Sequence, residues 1–259
     1  MADINWNKNV WDGKYDWVSR GEEWSNAWGG SVAQWFGSLY PRIHSYLYGS
    51  NILEIACGFG RWTRFLLPHC NGEYRAIDLS EECIEFCQSH FKDYKNSFFK
   101  NDGLSLEQVS DLKYDFIFSF DSLVHINTHT IKSYIAQCLE LLSDNGVAFI
   151  HHSNFNILYE AGLPKDHWGF RHMRDTSVSA KKVNDMIKEL GGKVLVQEII
   201  DWGGVDDLDC ITVFVSKEYK TSDVEYSHIV NRNFMLEAMN TRTVHSKYFK
   251  PLHTRSTSL

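Results

Sequence analysis

From Glu54 to Gly60 the chain reads Glu-Ile-Ala-Cys-Gly-Phe-Gly, an acid followed by small residues at alternate positions, Ala56, Gly58 and Gly60. Small residues at the end of an apolar run let the backbone turn sharply and approach a ligand closely. Two phosphate-cradling patterns fit poorly. Gly58 opens Gly-Phe-Gly-Arg-Trp-Thr, which lacks the third glycine of a dinucleotide site, and no Lys-Ser or Lys-Thr pair follows as a P-loop requires. A second acid, Asp78, ends the run Tyr-Arg-Ala-Ile-Asp 24 residues after Glu54. A carboxylate there can accept from both hydroxyls of a ribose, in nicotinamide-dinucleotide sites as elsewhere.

Groups able to move protons lie further along. Asp121 and His125 are one helical turn apart after Tyr-Asp-Phe-Ile-Phe-Ser-Phe, and His151 and His152 close Val-Ala-Phe-Ile-His-His-Ser. Histidine titrates near neutrality and suits general-base work. In a strand adjacent side chains face opposite ways, so at most one of His151 and His152 reaches a given cleft. The six cysteines contain no Cys-x-x-Cys pair and sit in apolar segments, which predicts reduced, buried thiols rather than zinc ligands or disulfides.

These residues need elements to carry them. Apolar runs at 51–56, 74–80, 96–102, 114–120 and 147–153 read as strands, with helical spacing between them. The predicted helices cover 61–70, 81–94, where Ser80 is the N-cap, and 131–146, stopped by Asn145-Gly146. Strands alternating with helices predict a doubly wound α/β core with a mostly parallel sheet. A helix at 180–192 precedes two strands, 193–202 and 209–217, whose short link requires antiparallel pairing. Residues 227–239 read as a helix.

Read together, these segments resemble the class I S-adenosylmethionine-dependent methyltransferases over about residues 50 to 216. The motifs that carry the resemblance are Glu54-x-Ala56-x-Gly58-x-Gly60, with alanine for the usual first glycine, then Asp78, then Asn101-Asp102-Gly103, then "YDFIFSFDSLVHI" and "LLSDNGVAFI". The resemblance implies a Rossmann-like methyltransferase sheet with S-adenosylmethionine as cofactor and S-adenosylhomocysteine as product. It assigns cofactor contacts to Glu54, Ala56, Gly58, Gly60, Asp78, Leu79, Asp102, Gly103 and Phe120, with Asp102 at the adenine edge, where an Asx turn is the alternative. His152, His125, Asp121 and His151 become the candidate catalytic groups. Some relatives hold a divalent ion with carboxylates after the fourth and fifth strands; here only Asp121 is a carboxylate, so no metal is expected.

The first third of the chain is crowded with tryptophan: Trp6, Trp11, Trp17, Trp24, Trp28, Trp35 and Trp62. Trp24, Trp28, Trp35 and Phe36 can form one apolar helix face, broken at Gly29-Gly30, that either packs on the sheet or caps the cofactor, with Trp28 and Gly29 in contact. Arg61 can clamp the methionine carboxylate or an anionic substrate. Trp62, with Arg171, His172 and Arg174 from a basic, aromatic insertion at 154–178, gives a substrate-side rim, unless that insertion is only a solvated loop.

The organisation is then an N-terminal helical cap at 1–48, a methyltransferase core at 49–216 and a C-terminal extension at 217–259. A net charge of −7 disfavours nucleic acid as a partner. The polar leader and the lack of a bilayer-length apolar run point to the cytoplasm, without membrane insertion. The expected activity is methylation of a small polar acceptor, at a hydroxyl of a sugar, activated sugar or capsule metabolite. The "RGEEWSNAWG", "FDSLVH" and "HHSN" segments resemble bacterial surface-polysaccharide methyltransferases. Methylation at nitrogen, a nicotinamide oxidoreductase and a non-catalytic cofactor-binding module are the alternatives, and a homodimer is compatible with all of them.

Overall fold

A computed structural model describes residues 3–47, 51–163, 173–220 and 225–248. Its strands are β1 (Ile52–Ile55), β2 (Tyr74–Asp78), β3 (Phe98–Lys100), β4 (Tyr114–Ser119), β5 (Leu142–Ser153), β6 (Lys193–Trp202), β7 (Val205–Val215) and β8 (Ser227–Asn231). They form one sheet in the order β3-β2-β1-β4-β5-β7-β6-β8. The first five run parallel, β7 lies antiparallel between β5 and β6, and β8 pairs parallel with β6. The chain leaves β1 toward β2 on one side and returns through β4 on the other, so the carboxyl ends of β1 and β4 flank the point where strand order reverses. Ligands of open α/β sheets bind at such a crevice.

Strand alternation divides the core. Ile52, Phe116 and Phe118 pack on one face with Trp28, Trp35 and Leu39 of the N-terminal segment. Leu53, Ile55 and Ile117 face the other, against Ile131 and Ile135 of a long helix. The helices are α1 (Ile4–Trp11), α2 (Ser31–Gln34), α3 (Tyr40–Ile43), α4 (Thr63–Leu66), α5 (Glu81–His90), α6 (Thr128–Leu141), α7 (Phe155–Glu160), α8 (Ala180–Glu189) and α9 (Phe234–Tyr248). Ser80 caps α5 by accepting from the Cys83 amide, as its sequence predicts.

Several expectations change. The helix after Arg61 is only α4 and a 3₁₀ turn over Leu67–His69, because Pro68 supplies no amide to continue it. The predicted stop at Asn145-Gly146 lies inside β5 instead, since α6 ends at Leu141. Gly146 sits where the register of β5 against β4 shifts, and a Cβ there would come within 2.4 Å of the Tyr114 carbonyl oxygen. The glycine serves close strand approach, not a helix cap. The single helix read over 227–239 divides into β8 and the start of α9, because Ile229 and Val230 pair with Glu198 and Ile199 of β6. Trp24, Trp28, Trp35 and Phe36 do not share one face. Glu22–Trp28 is a 3₁₀ helix, Gly29 and Gly30 break the chain with φ of 89° and 123°, and Phe36 is 60% exposed while Trp28 and Trp35 are buried.

Candidate active site

A cavity of about 320 Å³ opens at the crevice between β1 and β4, within the roughly 300–1,000 Å³ range of small-molecule sites. One wall is the turn after β1. Ala56 and Gly58 both line it in the left-handed region, with φ of 61° and 54°. A Cβ on Gly58 would meet nothing within 4 Å, so its bare backbone faces open space. Asp78, at the end of β2, draws the turn in: its Oδ2 accepts from the Gly58 amide at 2.7 Å and its Oδ1 from the Ser80 amide at 2.8 Å. Burial pushes the Asp78 carboxyl up, and these amide hydrogen bonds oppose the push. Each oxygen keeps a lone pair for a further donor.

Two residues assigned to the cofactor stand behind this wall instead. Gly60 has φ of 77° and packs against α5, where a Cβ would come 2.5 Å from Phe91 Cε2. Its side is filled, so it shapes the turn without lining the cavity. Glu54 is fully buried below the turn, its Oε2 accepting from Thr63 Oγ1 at 2.6 Å and from the Tyr74 hydroxyl. Its Oε1 has no partner. Burial raises this carboxyl to about 7 despite those two hydrogen bonds.

Asp102 is a third correction. Its side chain is exposed, and Oδ1 accepts from the Leu104 and Ser105 amides at 2.8 and 2.7 Å. That is the Asx turn that Asn-Asp-Gly also encodes. Its neighbour Asn101 lines the cavity in its place, donating from Nδ2 to Tyr134 Oη at 3.0 Å and accepting the Gly103 amide at 3.2 Å. Leu79 and Gly103 line this end, joined by Ile4, Leu123 and Ile126 in an apolar slot. His125 also lines it, with Nδ1 3.3 Å from the Met173 carbonyl and its ring 5.2 Å from that of Trp11.

At the opposite end Phe120, Asp121, Trp28, Trp62, Trp202 and Met235 converge. Asp121 adopts φ of 63°, a strained conformation for a residue other than glycine. Arg61 Nη2 lies 3.0 Å from Asp121 Oδ2, and its guanidinium sits 4.5 Å over the Trp62 ring. His151 lies beneath this floor and outside the cavity wall, stacked on Phe120 at 4.6 Å. Its Nδ1 accepts the Asp121 amide at 3.2 Å, which leaves the ring proton on Nε2, 3.5 Å from Asp209. Arg174 lines the cavity but binds Asp209 through two nitrogens, at 3.1 and 2.6 Å. Burial alone would raise Asp209; Arg174 and His151 hold it at about 2.

His152 is the main correction among the candidate bases. Strand alternation turns it to the far face of β5, where Nε2 lies 2.7 Å from Thr212 Oγ1 and Nδ1 2.9 Å from the Ser153 carbonyl. Burial depresses it to about 4, and it does not line the cavity. Trp28 lines the cavity with Nε1 donating to Ser38 Oγ at 2.8 Å, whereas Gly29 only caps the preceding 3₁₀ helix. Arg171 and His172 lie outside the described residues. Among the described residues no group of three His, Cys, Asp or Glu side chains is placed to hold a metal ion, and no helix is long and apolar enough to cross a membrane.

More of the N-terminal segment borders the cavity than the sequence indicated. Asn7, Trp11, Trp17, Arg20, Glu23 and Trp24 line the cavity, and Trp11, Trp17 and Trp24 pack on one another with Tyr15 at 4.9–6.2 Å between ring centroids. The excess of tryptophan was the available signal. Nothing local marked Trp202 or Met235; only the insertion of β7 and β6 beside β5 brings them in.

Residues 52–146 match the family described as methyltransferase domain. A solved S-adenosylmethionine-dependent methyltransferase from Clostridium acetobutylicum aligns with a TM-score of 0.56 at 15% identity, over 78% of this chain and 96% of that one. Magnesium protoporphyrin IX methyltransferase from Synechocystis, solved with S-adenosylhomocysteine bound, aligns with a TM-score of 0.52 at 15% identity, over 82% and 92%. The sphingolipid C9-methyltransferase of Candida albicans is 26% identical over 120 residues, 40% of this chain and 22% of that protein, so the chain spans about a fifth of that relative's length. The fold is that of the S-adenosylmethionine-dependent methyltransferases.

Proposed function

We propose that this protein methylates a hydroxyl oxygen on a small polar acceptor, with S-adenosylmethionine as donor. The observation that carries this reading is one cavity with two unlike ends, a turn-and-carboxylate cradle at Gly58 and Asp78 and an aromatic wall around a single carboxylate, Asp121. The cradle fits the cofactor: bare backbone at Gly58, two carboxylate oxygens with lone pairs for ribose hydroxyls, and the apolar slot at Leu79, Leu123 and Ile126 for an adenine face. When bound, S-adenosylmethionine supplies a methyl group already activated on a sulfonium, so the protein's share of the work is alignment and desolvation.

Trp202 and Met235 give this end an apolar surface for an acceptor ring, backed by the buried Trp28 and Trp62. That surface suits a sugar, activated sugar or capsule-related metabolite, which presents one apolar ring face and hydroxyls at its edge. Asp121 takes the hydroxyl proton. Arg61 engages its Oδ2 and fixes its direction, while His151 holds the backbone amide in the strained turn. The Trp11, Trp17 and Trp24 cluster covers the cradle and excludes water from it. The same aromatic faces would also attract a cationic amine, which makes methylation at nitrogen the second reading.

Transfer of label from methyl-tritiated S-adenosylmethionine to a panel of sugars, nucleotide sugars and amino sugars tests the proposal. Labelling of a hydroxyl acceptor is expected, with Asp121→Asn lowering kcat about a hundredfold, the scale of a general base. Labelling of amines alone, or an Asp121→Asn enzyme with full kcat, would overturn it.

A further inference from the structure

Three arginines line the cavity, and two of them are committed. Arg61 pairs with Asp121 at 3.0 Å and Arg174 with Asp209 at 2.6 Å. The third, Arg20, has no ion pair among the described residues; its guanidinium lies 4.5 Å over the Phe86 ring. Phe86 contacts Phe59, and Phe59 contacts Trp17, at 5.2 Å each, so Arg20 belongs to the aromatic group bordering Gly58. Its backbone is set for this position. Arg20 and Gly21 are both left-handed, with φ of 54° and 87°, and the Gly21 amide donates to Glu23 Oε2 at 2.9 Å.

The cavity wall here carries one cation, Arg20, and one anion, Glu23, the latter held, among the described residues, by the neutral donors Tyr15 Oη and the Gly21 amide. A wall with separate positive and negative groups matches a zwitterion. We infer that Arg20 binds the carboxylate of the cofactor's amino-acid tail, a role for which the sequence had offered Arg61. The inference rests on reading the cradle at Gly58 and Asp78 as the adenosyl site. An arginine reaching over an aromatic face keeps its donors in plane for a carboxylate, with either one or two hydrogen bonds.

Two nucleosides separate this contact from a merely structural one. S-adenosylhomocysteine carries the amino-acid tail and 5′-methylthioadenosine lacks it, while both present adenine and ribose. Calorimetric titration of wild type and Arg20→Gln with each is the test. Arg20→Gln should weaken S-adenosylhomocysteine about tenfold and leave 5′-methylthioadenosine within about twofold, as expected for loss of one charge-assisted contact at a partly open rim. Equal loss for both ligands, or no loss for either, would overturn the assignment, and retained methylthioadenosine binding itself reports that the variant is folded. Wild-type protein that binds neither nucleoside would instead overturn the adenosyl site and the inference with it.

Discussion

Glu54→Gln should make the protein more stable near neutral pH and leave it unchanged in acid. Glu54 is buried near the end of β1 with Oε1 unpartnered, and burial raises its carboxyl from an ordinary 4.5 to about 7. An acid whose folded pKa is raised stays protonated in the native state after the unfolded chain has ionised. Stability is therefore complete below about pH 4.5, falls as pH rises through the interval to about 7, and stays low above it. At ~1.4 kcal/mol for each tenfold change in proton affinity, that interval is worth about 3 kcal/mol. Glutamine keeps an oxygen to accept from Thr63 and Tyr74 and cannot ionise. His152 works in the opposite direction: depressed to about 4 from 6.5, it costs stability as pH falls through the same range. The wild-type profile alone is thus a difference of two slopes, and the informative quantity is mutant minus wild type. Urea unfolding at about pH 5 and about pH 8 should give a Glu54→Gln gain of about 1 kcal/mol at the first and about 3 kcal/mol at the second. A gain that is the same at both would refute the raised carboxyl.

Gly60→Ala should lose about 1–3 kcal/mol in denaturant titration, because its Cβ meets Phe91 at 2.5 Å and φ is 77°, whereas Gly58→Ala, with open space around it, should lose less stability and more cofactor affinity. The opposite ranking would count against the assignment of the two glycines to packing and to the cradle. Arg174→Met leaves the buried Asp209 carboxylate with His151, 3.5 Å away, in place of its two-nitrogen arginine partner and should cost about 3–5 kcal/mol near neutral pH, part of it recovered by adding Asp209→Asn. Full stability of the single variant in thermal unfolding would show that the pair carries no such load.

Much of the framework was legible because it is local. The five parallel strands announce themselves as apolar runs, and Ser80 marks a helix start within four residues of the amide it caps. Asp78 and Gly58 could be placed because a strand end fixes where a side chain emerges. What failed depended on partners far away in the chain. Asn145-Gly146 reads as a helix stop until Tyr114 is known to lie against it, and Ile229-Val230 reads as helix until β6 supplies an edge. Strand phase turns His151 toward the floor beneath the cavity and His152 to the far face, and neither lines it, which the sequence could not show without the sheet. Asp102 was ambiguous in the sequence itself, and the hydrogen bonds from Leu104 and Ser105 decide it. Arg20 escaped notice because a cation becomes informative only when its neighbours prove to be paired.

Holding an adenosyl group is the role proposed for the cradle of Gly58 and Asp78. Calorimetric titration with S-adenosylhomocysteine and, separately, with oxidised nicotinamide dinucleotide tests it most directly. Saturable one-to-one binding of S-adenosylhomocysteine is expected, at least about tenfold weaker in Asp78→Ala as two ribose hydrogen bonds to a charged acceptor are lost, with no binding of the dinucleotide. Binding of the dinucleotide instead, or an Asp78→Ala protein with unchanged affinity for S-adenosylhomocysteine, would contradict it.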